Sequence, residues 1–156
     1  MDIAAVERYR AAGSAFVVAA RTAPEAVGSR KSDEWNATMI AHHLADADMH
    51  FAIRIREVLI NENPTLPFFD EEKYAERLNY ADRPIESALL IIKAVREETA
   101  NLLSTVSAES WSRRGTRSDG FEYTLADLVR VSTEHVEEHI AQVTNANVTN
   151  APAQSS

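Results

Sequence analysis

Apolar positions along this chain recur at helical spacing, three and four residues apart, rather than alternating as in strands. From Asp2 to about Ala20, Ile3, Val6, Tyr9, Phe16 and Val17 can share one face, with Gly13 a soft point inside that helix. Pro24 and the polar run from Gly28 to Asp33 break the pattern and predict a loop. Asn36 then stands as an N-cap for a long helix reaching about Asn61. That helix has a wide apolar stripe through Met39, Ile40, His43, Leu44, Ala47, Phe51, Ile55, Val58 and Leu59 and no internal glycine or proline. Two prolines and two asparagines between Asn61 and Pro67 end it and predict a mostly extended connection, with a turn of helix near Glu71 to Arg77. Asp82 and Pro84 open a third long helix, whose Ile85, Leu89, Ile92, Val95, Thr99 and Leu103 repeat at helical spacing to about Thr105. Between Trp111 and Tyr123 two short extended arms flank Ser118-Asp119-Gly120, a hairpin-like turn signal. Thr124 caps the last helix, which offers Leu125, Leu128, Val129, Val131, Ile140 and Val143 for packing.

Four long helices with one short hairpin predict an all-α four-helix bundle, a single domain over residues 1–146, followed by a polar tail over 147–156 expected to be disordered. Composition agrees: 156 residues, 45% of them hydrophobic, suffice for one core, and four glycines and five prolines suit helices better than a turn-rich sandwich. A net charge of −8 argues against nucleic acid as a partner, because phosphate neutralisation requires a cationic surface. No apolar run approaches the roughly 20 residues that span a bilayer, and the segment after Met1 lacks the basic-then-apolar pattern of a leader, so a cytoplasmic protein without membrane contact is expected. With no cysteine, the chain has no disulfide, thiolate metal ligand or cysteine nucleophile of its own.

The five histidines carry the candidate chemistry. His135 and His139 are four residues apart, so on a helix their imidazoles stack on one face and can clamp a metal ion. A pair of this kind among glutamates also fits a solvated helix face, and a lone His43 also fits a satisfied core histidine. In a bundle whose second and fourth long helices face each other, one histidine from the second completes a three-nitrogen site with an open position. Helical phase selects His43, which stands with Leu44, Ala47 and Phe51, whereas His42 is rotated by about 100°. His50 lies on nearly the same line but about 10 Å further along, placed to touch substrate, and Asp46, one turn from His43, is a candidate general base or partner for a ligand imidazole. These two, Asp46 and His50, are the expected catalytic groups. Glu134 and Glu138 point about 100° away from their histidine neighbours, toward solvent. Trp35, Trp111, Phe68, Phe69 and Tyr123 read as packing or loop anchors, and Arg54, Arg56, Arg113, Arg114 and Arg117 as solvated charges, of which Arg113 to Arg117 could line a pocket mouth for an anion.

The run from Trp35 to Asp46, with a tryptophan eight residues before a histidine that is followed by leucine, resembles the second-helix signature of the DinB-like superfamily. The His135–His139 step is similar to that family's fourth-helix pair, and Pro67-Phe68-Phe69-Asp70-Glu71 resembles its YfiT-like branch of metal-dependent hydrolases and bacillithiol transferases. The resemblance implies an up-up-down-down bundle, nickel or zinc on His43, His135 and His139, and a homodimer. It also implies relatives that join a low-molecular-weight thiol such as bacillithiol or mycothiol to an electrophile. The expected function is thus metal-assisted attack of a thiol or water on an electrophilic small molecule. The competing expectation is a non-catalytic bundle that uses the metal as a staple and serves in binding or dimerisation.

Overall fold

The structure, a computed structural model, describes residues 2–23 and 35–149. The expected loop at Pro24 and Gly28 to Asp33 lies outside the described residues, as do residues 150–156 of the expected tail. The described residues form five α-helices: α1 (Ile3–Thr22), α2 (Ala37–Ile60), α3 (Glu71–Arg77), α4 (Ile85–Leu103) and α5 (Leu125–Thr149). Their starts follow local chemistry. Asn36 accepts a hydrogen bond from the Met39 amide at 2.9 Å, and Thr124 and Asp127 cap α5 reciprocally, each side chain accepting the other's amide at 3.1 Å. Pro84 precedes α4 without a side-chain cap, so Asp82 does not play the expected part. The last helix continues three residues past the expected boundary at 146, since no glycine or proline falls between Val143 and Ala151.

The expected hairpin forms from β2 (Arg114–Arg117) and β3 (Glu122–Thr124), turning at Gly120 with φ of 95°. A strand not foreseen in the extended connection, β1 (Thr65–Leu66), adds to it in parallel, Thr65 opposite Thr116 and Leu66 opposite Arg117. This small sheet ties the α2–α4 connection to the segment before α5.

Helix α1 packs on α5 and α4, and α2 packs on the same two, so α1 and α2 are diagonal partners. Their directions follow from two buried clusters. One gathers Phe16 and Ala20 of α1, Met39 and Leu44 of α2, Leu89 and Ile92 of α4, and Val136 and Val143 of α5. The other gathers Val6 and Tyr9, Ile55 and Val58, Ala100 and Leu103, and Leu125 and Leu128. The C-terminal parts of α1 and α5 thus meet the N-terminal parts of α2 and α4. The long helices run up, down, down, up, which corrects the expected up-up-down-down order. The physical reason is the connection at 61–84, long enough with β1 and α3 to return the chain along the bundle, so that α4 runs parallel to α2. No described helix is long and apolar enough to cross a membrane.

Between the clusters lies a buried ionic centre. Arg96, 1% exposed, donates from Nε and Nη2 to the two carboxylate oxygens of Asp48 at 2.8 and 2.7 Å. Its Nη1 donates to the Tyr9 carbonyl at 3.0 Å, its Nη2 also to the Ser132 carbonyl at 2.7 Å, and the guanidinium lies 4.4 Å from the Tyr9 ring centre. Gly13 makes the room: a Cβ there would stand 2.7 Å from Arg96 Cδ. The soft point in α1 is therefore the slot for the arginine stem. Replacing Arg96 by Met, which leaves Asp48 buried without its partner, should cost about 3–5 kcal/mol. Gly13→Ala should destabilise by about 1–3 kcal/mol through overpacking, despite alanine's better helix propensity. Urea unfolding of both variants measures this, and wild-type stability in Gly13→Ala would mean the slot is not tight.

Candidate metal centre

Because α2 and α5 are packed antiparallel, His43 faces the successive turns that carry His135 and His139. His135 Nε2 lies 2.9 Å from His43 Nε2 and 3.2 Å from His139 Nε2. The three candidate ligand atoms all fall within 4.8 Å of one another, and no other group of three histidine or acidic side chains among the described residues meets that condition. Three nitrogens each about 2.0–2.1 Å from a tetrahedral ion would stand roughly 3.3 Å apart, close to the two distances from His135.

The hydrogen-bond chemistry tests whether a cation fits. Gln142 Oε1 lies 2.8 Å from His139 Nδ1 and accepts its proton, so His139 Nε2 carries a lone pair, and that lone pair is directed at another imidazole nitrogen. A neutral imidazole has one N–H, so three converging rings leave lone pairs facing each other without enough protons to pair them. Adding protons is opposed by the surroundings. Burial first, then the neighbouring histidines, push His43 down to about 2. Burial, then His139 and Arg96, push His135 down to about 3, and burial lowers His139 despite the Gln142 hydrogen bond. Three neutral, convergent nitrogens fit a divalent ion.

The rim is aromatic and acidic. Trp35 packs on His43 with ring centres 5.2 Å apart, and Phe69 stacks on it at 5.7 Å. Glu71, the first residue of α3, brings Oε2 to 3.8 Å from His43 Nε2, and burial together with Glu72 and Asp70 raises its carboxyl above the ordinary value. A cleft of about 280 Å³ opens over His43 and His135 and is bordered by Phe69, Glu71, Arg54, Arg117, Glu134 and Glu138 among others.

The other expected residues are held apart from this point. Asp46 accepts the Tyr80 hydroxyl proton at 2.5 Å, and His50 Nε2 pairs with the Tyr74 hydroxyl at 3.0 Å while its ring lies 4.8 Å from Phe69; neither lines the cleft. His42 pairs with the Arg83 carbonyl at 3.3 Å and stacks on Tyr80, in keeping with its rotation away from His43. Glu134 and Glu138 were expected in solvent: Glu138 is exposed as expected, whereas Glu134 is half-buried and bound to Arg130, and both border the cleft. Arg113 binds the Val58 and Asn61 carbonyls at the end of α2, and Arg117 alone of the 113–117 arginines reaches the cleft. Glu71 has no site role in the sequence reading, and Arg54, expected as a solvated charge, is buried. Glu71 had a signal, its place at a helix start two residues after Phe69, whereas Arg54 looks like any charge on a long helix.

The family model of the DinB superfamily matches residues 8–143. The chain belongs to the DinB superfamily. A protein of Oceanobacillus iheyensis, provisionally named a metal-dependent hydrolase, is 28% identical over 117 residues, covering 75% of this chain and 67% of that one. A Bacillus cereus protein of the same provisional name is 28% identical over 111 residues, with 71% and 64% covered. The chain thus spans about two thirds of the length of these relatives. Among solved structures, YfiT from Bacillus subtilis, described as a probable metal-dependent hydrolase of unusual four-helix bundle topology, superposes with a TM-score of 0.85 at 20% identity, covering 93% of this chain and 85% of its own. A mycothiol-dependent maleylpyruvate isomerase superposes at 0.71 and 11% identity, covering 92% and 61%. These two likenesses establish the shared fold.

The depressed histidines give the DinB-superfamily bundle a pH dependence. Their folded values lie below the ordinary 6.5, so the neutral forms support the fold above about pH 6.5, and that support is lost as pH falls toward the folded values of about 2 and about 3. Chelator-treated protein should therefore lose thermal stability from about pH 6.5 downward, by at most ~1.4 kcal/mol per pH unit for each histidine. Melting curves from pH 7.5 to 5 read this directly. A melting temperature that does not change, or that rises as pH falls, would contradict the neutral cluster.

Proposed function

We propose that this chain is a metal-dependent enzyme in which His43, His135 and His139 hold a divalent ion, nickel or zinc, beside a cleft where water or a low-molecular-weight thiol attacks an electrophilic small molecule. The observation that carries the reading is the convergence of three neutral Nε2 atoms, two of them on rings that line an open cleft. When bound, the ion would lower the pKa of a water or thiol at its open position and polarise the electrophile. The provisional hydrolase names of the relatives support water as nucleophile. The mycothiol dependence of one structural neighbour supports a thiol, which this cysteine-free chain would take from a cosubstrate.

Glu71 is the group we assign to proton transfer, since its carboxylate sits beside His43 at the cleft wall and its raised pKa makes it a better acceptor than an ordinary glutamate. Asp46 and His50, first expected in that role, act as positioning residues: through Tyr80 and Tyr74 they hold the aromatic shell of Trp35 and Phe69 against the histidine rings. Phe69 and Trp35 keep bulk water from the side of His43.

The test is turnover by nickel- or zinc-loaded protein, with an activated ester for hydrolysis and with bacillithiol, mycothiol or cysteine plus an alkyl halide for thiol transfer. One of the two reactions should proceed, vanish in His139→Ala, and fall by about 10²-fold in kcat in Glu71→Gln at unchanged metal content. Fully loaded protein inert in both reactions would contradict the enzyme reading, and an unaltered kcat in Glu71→Gln would remove Glu71 from it.

A further inference from the structure

Two arginines at about the same depth in this protein have opposite electrostatic situations. Arg96 is buried with a bidentate carboxylate. Arg54, 6% exposed, has only a neutral acceptor: its Nε and Nη2 both donate to the Pro67 carbonyl, at 3.0 and 2.5 Å. No carboxylate is paired with it among the described residues. Its guanidinium is instead 5.3 Å from the Phe51 ring centre, and burial and the nearby Arg117 push its pKa down. A buried charge without a counter-charge is costly, and an anion that reaches it from the cleft would offset that cost.

The partner's direction is set by the cleft, which Arg54 lines together with His43 and His135. Arg117 lines it too. Asp119 takes the Arg117 Nε and Nη2 at 2.7 and 2.5 Å, and its guanidinium lies 5.2–5.6 Å from the ring centres of Phe68, Phe121 and Tyr123. Three carboxylates, Glu71, Glu134 and Glu138, also border the cleft, but none of them is in ion-pair contact with Arg54. The geometry points to an anion subsite: Arg54, with Arg117 beside it, receives a carboxylate of the small molecule that occupies the cleft, leaving the rest of that molecule over the histidines. This rests on the proposed function in one respect, that the cleft is where substrate sits. It narrows the substrate or cosubstrate to a carboxylate-bearing compound.

Succinate is a suitable probe, with succinamide as its uncharged counterpart, each titrated by calorimetry or NMR into chelator-treated protein so that no carboxylate–metal bond contributes. Wild type should bind succinate and not succinamide. Arg54→Lys, which keeps the charge and loses the fork, and Arg117→Met should each weaken succinate about tenfold, in line with a charge-assisted hydrogen bond, with helical circular dichroism unchanged. Absence of succinate binding, equal binding of the amide, or wild-type affinity in both variants would overturn the subsite. Because these titrations are metal-free, they stand whether or not the histidines take up an ion, and failure of the metal reading leaves them interpretable.

Discussion

Arg96 reaches into the middle of the bundle and is held there by groups from each of the other long helices: the Tyr9 carbonyl of α1, the Asp48 carboxylate of α2 and Ser132 of α5. A planar, forked cation can satisfy those acceptors in only one relative rotation of the four helices. That rotation decides where the histidines point. Asp48 lies five residues after His43, and Ser132 lies one turn before His135, so the same contacts that anchor Arg96 set α2 and α5 to face each other through imidazole nitrogens. Turning either helix by a single residue, about 100°, would break the ionic centre and disperse the three nitrogens together.

The parts of this arrangement that could be read from the chain are those with a local signature. Helix number and near-correct ends follow from periodicity and from capping residues such as Asn36 and Thr124. The His135–His139 pair follows from the four-residue step, and the choice of His43 over His42 follows from its phase in the stripe of α2. What could not be read depends on contacts far apart in sequence. Arg96 interrupts the stripe of α4 with a charge, and the periodic reading put Val95 in its place; only Asp48, 48 residues away, makes it a core residue. Gly13 looks like a weakness in α1 until the arginine stem is seen against it. The helix directions depend on a connection whose return path has no periodic signal, and β1 pairs across about fifty residues with a strand of the hairpin. Asp46 and His50 have the right phase for the site, but the tyrosines of α3 and of the turn before α4 engage them first.

The site is therefore a short polar region beside the apolar cluster of Trp35, Leu44 and Val136, with the Arg96 ionic centre further along the bundle and an aromatic and charged rim on its open side. The ionic centre is closed, every strong donor of Arg96 having an acceptor. The rim is open and carries unmet chemistry: converging lone pairs at the histidines and an unneutralised guanidinium at Arg54. Under the proposed function both would be met by ligands of opposite sign, a cation among the histidines and an anion at Arg54.

The most direct measurement is X-ray absorption at the metal edge of nickel- or zinc-loaded protein, with metal content determined on the same sample and on the variant with His43, His135 and His139 all replaced by Ala. The account predicts one ion per chain with three imidazole scatterers at about 2.0–2.1 Å, and loss of that ion in the variant. A spectrum with fewer than three imidazoles, or one that persists in the variant, would contradict it.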